Sequence, residues 1–79
     1  MPEYVVLFYT HSGAIKFDRK ATKNGYRVEL MPVPRKLSSN CGVSAKIQLD
    51  SSINELIDEE IEKIYRICEK EYQLVYSQE

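Results

Sequence analysis

The chain has 79 residues, 43% hydrophobic and 29% charged, with a net charge of −1. That length fits one domain spanning residues 1–79, which buries only about 60% of its unfolded surface and so leaves little room for a deep enzyme cleft. The charge lacks the basic excess of a nucleic-acid footprint, and no apolar run approaches the roughly 18 residues of a membrane span.

No charged start followed by a long apolar core suggests a secretory signal. The two cysteines, Cys41 and Cys68, fall in very different settings. A disulfide framework is not expected, and a reducing cytoplasm is the expected compartment.

Residues 4–9, Tyr-Val-Val-Leu-Phe-Tyr, form a continuous apolar run that suits a central strand buried on both sides. The run stops at Thr10-His11-Ser12-Gly13, where Thr10 or Ser12 can cap a following helix. Up to Asn24, Ala14, Phe17 and Ala21 recur at spacings of three and four and give that helix one narrow apolar face. Asn24-Gly25 stops it, because glycine takes the left-handed conformation without steric cost. Residues 26–31 alternate, with Tyr26, Val28 and Leu30 on one face, as in a half-buried strand. Pro32 and Pro34 end that strand, since neither can donate to a ladder. Val43, Ala45, Ile47 and Leu49 then alternate with Ser44, Lys46 and Gln48, the clearest strand pattern in the chain.

Ser52 and Glu55 have the spacing of a capping box. Ile53, Leu56, Ile57, Ile61, Ile64, Ile67 and Cys68 follow at helical period, which predicts a second long helix with Cys68 on its buried stripe. Residues 72–76 close as a short strand. The order β-α-β-β-α-β predicts an α+β, ferredoxin-like two-layer sandwich: a four-stranded antiparallel sheet with two helices on one face. In that arrangement strand three lies antiparallel between strands one and two. The turn at residues 10–13, the start of the first helix and the loop at residues 32–41 then share one end of the molecule, with Cys41 beside His11.

The unusual residues gather in that loop. Pro32 and Pro34 stiffen it, Arg35 and Lys36 follow, and Ser38, Ser39 and Asn40 lead to Cys41 and Gly42. A thiol near a helix N-terminus, a histidine and two cations is expected to react as a thiolate, able to hold and pass on sulfur or selenium. Gly42 leaves the backbone beside the sulfur open. His11 can orient or protonate the sulfur, and Arg35 and Lys36 can attract an anion or an acidic partner. Ser38, Ser39 and Asn40 can donate to an anionic adduct or simply make turns. Against this stands packing: cysteine is among the most buried residue types, and Ser12 reads as a cap before it reads as a nucleophile. One histidine and two distant cysteines lack metal-ligand spacing. No cofactor is implied, and the scattered tyrosines form no platform for stacking nucleic-acid bases.

Residues 4–14, Tyr-Val-Val-Leu-Phe-Tyr-Thr-His-Ser-Gly-Ala, and residues 30–42, Leu-Met-Pro-Val-Pro-Arg-Lys-Leu-Ser-Ser-Asn-Cys-Gly, resemble the two signature stretches of the selenium/sulfur carrier-like family of short bacterial proteins. Pro34-Arg35-Lys36-Leu37-Ser38-Ser39-Asn40-Cys41-Gly42 is the specific part. The resemblance spans nearly the whole chain. It implies that Cys41 is the carrier cysteine, with Arg35, Ser38, Ser39 and Gly42 around it and His11 and Ser12 contributed by the first turn. Two functions compete. The first is a thiol shuttle that takes sulfur or selenium on Cys41 from a donor protein and hands it to an acceptor, without turnover of its own. The second is a non-catalytic binding or regulatory module of ferredoxin-like type, using the Arg35-Lys36 loop for an anion or a protein. A thiol oxidoreductase is disfavoured because no resolving cysteine lies nearby in sequence.

Overall fold

The apolar run near the start of the chain becomes β1 (Glu3–Phe8), whose Val5, Val6, Leu7 and Phe8 are all fully buried. The computed structural model describes residues 2–37, 41–49 and 53–78. In it β1 is followed by α1 (His11–Lys23), β2 (Arg27–Pro32), β3 (Val43–Gln48), a single 3₁₀ turn (Ile53–Leu56), β4 (Ile61–Cys68) and β5 (Glu71–Ser77). The strands make one antiparallel sheet in the order β2-β3-β1-β4-β5.

The first half follows the sequence expectation. β3 lies antiparallel between β1 and β2. Thr10, not Ser12, caps α1, its Oγ1 accepting the Gly13 N–H at 3.0 Å. The helix ends in a Schellman motif: Gly25 N–H donates to Thr22 O and Tyr26 N–H to Ala21 O, each at 3.0 Å,. Ala14, Phe17 and Ala21 are buried with Val6, Phe8, Ala45 and Ile47 in the core between helix and sheet. The Phe8 and Phe17 rings tilt together with centroids 5.4 Å apart, a geometry that adds to their burial.

The second half overturns the ferredoxin-like expectation. No second α-helix is found among the described residues, and the sheet has five strands instead of four. The Ile61–Cys68 stretch carries three isoleucines and a tyrosine, residue types that favour the pleated sheet. Its helical spacing comes from a β-bulge. Leu7 pairs with Lys63 but Phe8 pairs with Ile61, so Glu62 is an extra residue. The bulge turns Ile61 and Ile64, three apart, to the same buried face, which a regular strand cannot do. A second bulge lies in β5, where Tyr76 pairs with Ile64 and Leu74 with Tyr65, leaving Val75 over. Cys68 is half-buried at the end of β4, and its thiol donates to Gln73 Oε1 at 3.7 Å. It is not on a helix stripe. Glu69-Lys70 makes the tight turn into β5, with Glu69 at a φ of 57°. Ser38, Ser39, Asn40, Ser51 and Ser52 lie outside the described residues, so the Ser52 half of the expected capping box does too.

The short connection before β4 is fastened to α1 by polar contacts. Lys20 Nζ lies 3.1 Å from Asp58 Oδ2, and Asp58 Oδ1 accepts the Glu60 N–H at 2.9 Å. Among the described residues the other face of the sheet carries no helix, yet Val5, Leu7 and Ser44 are fully buried there. The segment after β2 helps to cover it. Leu37 N–H bonds Pro34 O in a turn, and Lys36 Nζ reaches Lys70 O at 3.4 Å. Lys36 and Leu37 border a hollow with Tyr65, Glu71 and Tyr72.

Two substitutions test this account with opposite signs. A Cβ on Gly13 would lie 2.9 Å from Glu60 Cβ. Gly13→Ala should therefore lose about 1–3 kcal/mol through overpacking, where an unobstructed helical Gly→Ala gains about 0.5–1 kcal/mol. Glu69→Gly should gain about 1 kcal/mol by relieving a left-handed backbone. Urea denaturation of both variants reads these values.

Candidate functional site

The ends of three elements converge on one corner. β1 finishes at Phe8, α1 begins at His11, and β2 finishes at Pro32, directly opposite Val43. Beyond Pro32 the ladder gains one more bond, from Val33 N–H to Gly42 O at 3.2 Å. Gly42 holds a φ of 75° with nothing within 4 Å of a would-be Cβ. The demand there is conformational, not steric, and glycine meets it at least cost. Cys41 immediately precedes it and packs, half-buried, against the helix-side core.

His11 and Cys41 do meet, but through the backbone. His11 Nε2 is 2.9 Å from the Cys41 carbonyl oxygen. A carbonyl only accepts, so Nε2 carries the hydrogen and donates. The ring thus clamps the main chain at residue 41 and leaves the sulfur to other contacts. The thiol donates to Val43 O at 3.5 Å. Beside Val43 opens an apolar groove of about 400 Å³ between α1 and β2, bordered by His11, Ala14, Ile15, Leu30, Pro32 and Val43.

The electrostatic ring expected around the sulfur is arranged differently. Thr10 already accepts from one of the free first-turn amides of α1, Gly13 N–H, through its hydroxyl, and its carbonyl takes the first intrahelical bond, from Ala14 N–H. The chain's own Glu60 carboxylate sits against this helix start, 3.5 Å from Thr10 Oγ1 and 3.8 Å from Lys16 Nζ. An anion is favoured at that end of a helix, and here the occupant is internal. Gly13 is buried against Glu60, and Ser12 is exposed. Lys36 bonds the Lys70 carbonyl. That turn lies at the end of the sheet where Glu3 pairs with Ile67, the opposite end from Cys41. Arg35 is exposed on the Pro34–Leu37 turn. The structure therefore brings His11 and Gly42 to Cys41 and carries the Lys36 ammonium away from it. Ser38 and Ser39 lie outside the described residues. Thr10 and Glu60 shape the corner without having been singled out as site residues. Thr10 was legible as a cap, whereas Glu60 was hidden inside the expected second helix.

Neither cysteine is in a disulfide, and no cluster of three metal-ligating side chains occurs among the described residues. No helix among them is long and apolar enough to cross a membrane.

The backbone clamp has a measurable consequence. His11→Ala should cost about 0.5–1.5 kcal/mol, the net worth of one hydrogen bond. His11→Gln, whose amide can still donate, should recover part of it. Urea denaturation of the pair checks this.

One family model, described as "Putative Se/S carrier protein-like", matches residues 3–77. Searches of curated proteins and of solved structures find no match.

Proposed function

The chain belongs to the Se/S carrier protein-like family, and on that premise we propose that it holds sulfur or selenium on Cys41 and passes it to a partner protein. The observation that carries this reading is the setting of Cys41. It is a half-buried thiol whose main chain is clamped by His11, and its neighbours Gly42 and Val43 border an apolar groove.

The transfer needs no external oxidant. The Cys41 thiolate attacks the outer sulfur of a donor persulfide. The donor S–S bond breaks, its electron pair leaves on the donor thiolate, and a new S–S bond joins Cys41. The acceptor's thiolate then attacks the outer sulfur in turn, and Cys41 leaves as thiolate. A selenosulfide donor follows the same course with an S–Se bond. No electrons are gained or lost overall, and the Cys41 thiolate is regenerated as the cargo leaves, as the shuttle reading requires.

Cys68 supports the reading by its distance. It pairs with Glu71 beside the β4–β5 turn, at the far end of the sheet from Cys41. An internal attack by Cys68 on a loaded Cys41 is thus remote, and the cargo waits for an external acceptor. The same distance disfavours a thiol oxidoreductase with an internal resolving cysteine. A reducing compartment such as the cytoplasm suits a thiol that must be regenerated. The rival reading, an anion or protein site on Arg35 and Lys36, loses support because Lys36 is engaged with the chain's own Lys70 carbonyl.

The test is intact-mass spectrometry after incubation with a cysteine desulfurase and cysteine. The wild type and Cys68→Ser should each gain one sulfur atom, released by dithiothreitol, and Cys41→Ser should gain none. An adduct that persists on Cys41→Ser, or no adduct on the wild type, would sink the proposal.

A further inference from the structure

The sheet has two outer strands, and they are not alike. β5 carries the Val75 bulge, a device that twists an edge away from further pairing. β2 has no such interruption: its register with β3 runs without a shift from Arg27↔Gln48 to Pro32↔Val43. The phase of its backbone groups follows from two bonds. Val33 N–H donates to Gly42 O, and Leu49 N–H donates to Pro2 O. In an antiparallel ladder these groups alternate sides. The odd-numbered residues of β2 therefore bond to β3, and Val28 and Leu30 turn their N–H and C=O groups outward. On the helix side this edge is apolar, with Leu30 40% and Ile15 48% exposed. On the other side it presents Arg27 and Glu29, both exposed.

We propose that β2 pairs with β2 of a second copy of this chain, antiparallel about a two-fold axis at Val28, to form a continuous ten-stranded sheet. Charge selects the occupant and the register. A two-fold axis at Arg27 sets two arginines opposite each other, and one at Glu29 opposes two glutamates; like charges so placed are destabilising. An axis at Leu30 sets Val28 against Pro32, which has no N–H to give. At Val28 the like-charge conflicts vanish. Leu30 there meets the partner subunit's Tyr26, and Tyr26 already gives its N–H to Ala21 O. That pair, like Val28 with Pro32, forms one bond only, and charge decides between the two registers. The two Val28 residues exchange both backbone bonds, and Arg27 faces Glu29 of the partner subunit, twice by symmetry. On the helix side Leu30 faces Tyr26 of the partner subunit. Two hollows lie along this side of β2, one bordered by Ile15 and Leu30 and the other by Thr22, Tyr26 and Val28. The axis sets each against the other's counterpart. The pairing does not depend on what Cys41 carries.

Sedimentation velocity of the full chain over a dilution series tests this, with circular dichroism confirming that each variant is folded. The wild type is expected to be a dimer that dissociates on dilution. Arg27→Glu and Glu29→Arg should each be monomeric alone, because each opposes like charges across the axis. Their equimolar mixture should regain the dimer, since both cross-axis pairs are then of opposite sign. A second readout is oxidation of Val28→Cys in a Cys41→Ser, Cys68→Ser background. Its Cα atoms would sit about 5.5 Å apart, within disulfide reach, so it should cross-link faster than Leu74→Cys on β5. A monomer at every concentration, a dimer that both single reversals leave intact, a mixture no better than its components, or faster cross-linking through Leu74→Cys would each overturn the proposal.

Discussion

Everything in this fold hangs on β1 being paired on both edges and buried on both faces. Val6 and Phe8 point into the core under α1, while Val5 and Leu7 are equally buried on the helix-free side. A strand in that position needs two covering layers, and a chain of 79 residues has only one α-helix to give among those described. Part of the second layer is supplied by the connection after β2, which crosses toward the β4–β5 turn and fixes Lys36 on the Lys70 carbonyl. The long, proline-framed loop therefore has a packing duty as well as a place in the site. Its Lys36 is committed to the far end of the sheet, whereas its Cys41 stands at the near one.

That division of labour alters how the corner works. A sulfur ringed by cations and bare helix amides would owe its chemistry to charge. Here the helix start is already supplied by Thr10 and faced by Glu60, and the histidine holds main chain instead of sulfur. What the corner offers Cys41 is position. Its backbone is pinned by His11, and Gly42 takes the turn that a side chain would resist. The neighbouring groove is apolar. Such a setting suits the proposed transfer to another protein's thiol, in which holding the reacting groups in line removes part of the entropic cost of bringing them together.

Much of this was legible from local pattern. The apolar run at residues 4–9, of which 5–8 are fully buried while Tyr9 is exposed past the strand's end, the Ala14-Phe17-Ala21 face, the Asn24-Gly25 stop and the Val43-Ala45-Ile47 alternation each specify one element, since each has a single periodicity. The meeting of His11 with residue 41 followed from strand order alone. The stretch after residue 52 was ambiguous for a physical reason. Apolar residues three apart share a face in a helix, and they also share one across a β-bulge such as the one at Glu62. The turn at Glu69-Lys70 gave no warning, because it lacks the Asn-Gly or Asp-Gly pair that marks a two-residue hairpin.

Spacing along the chain thus determined most of the helix-side core, where α1 starts and stops, and that a thiol would stand at its threshold, although Tyr9 and Leu30, read as buried, are exposed. Only the assembled sheet decided that Ile61–Cys68 is a strand, that His11 grips a carbonyl and that Lys36 reaches the opposite end. Burial preference is a property of each side chain and can be read one residue at a time. The partner that satisfies it is set by which strand lies alongside, and no local period encodes that.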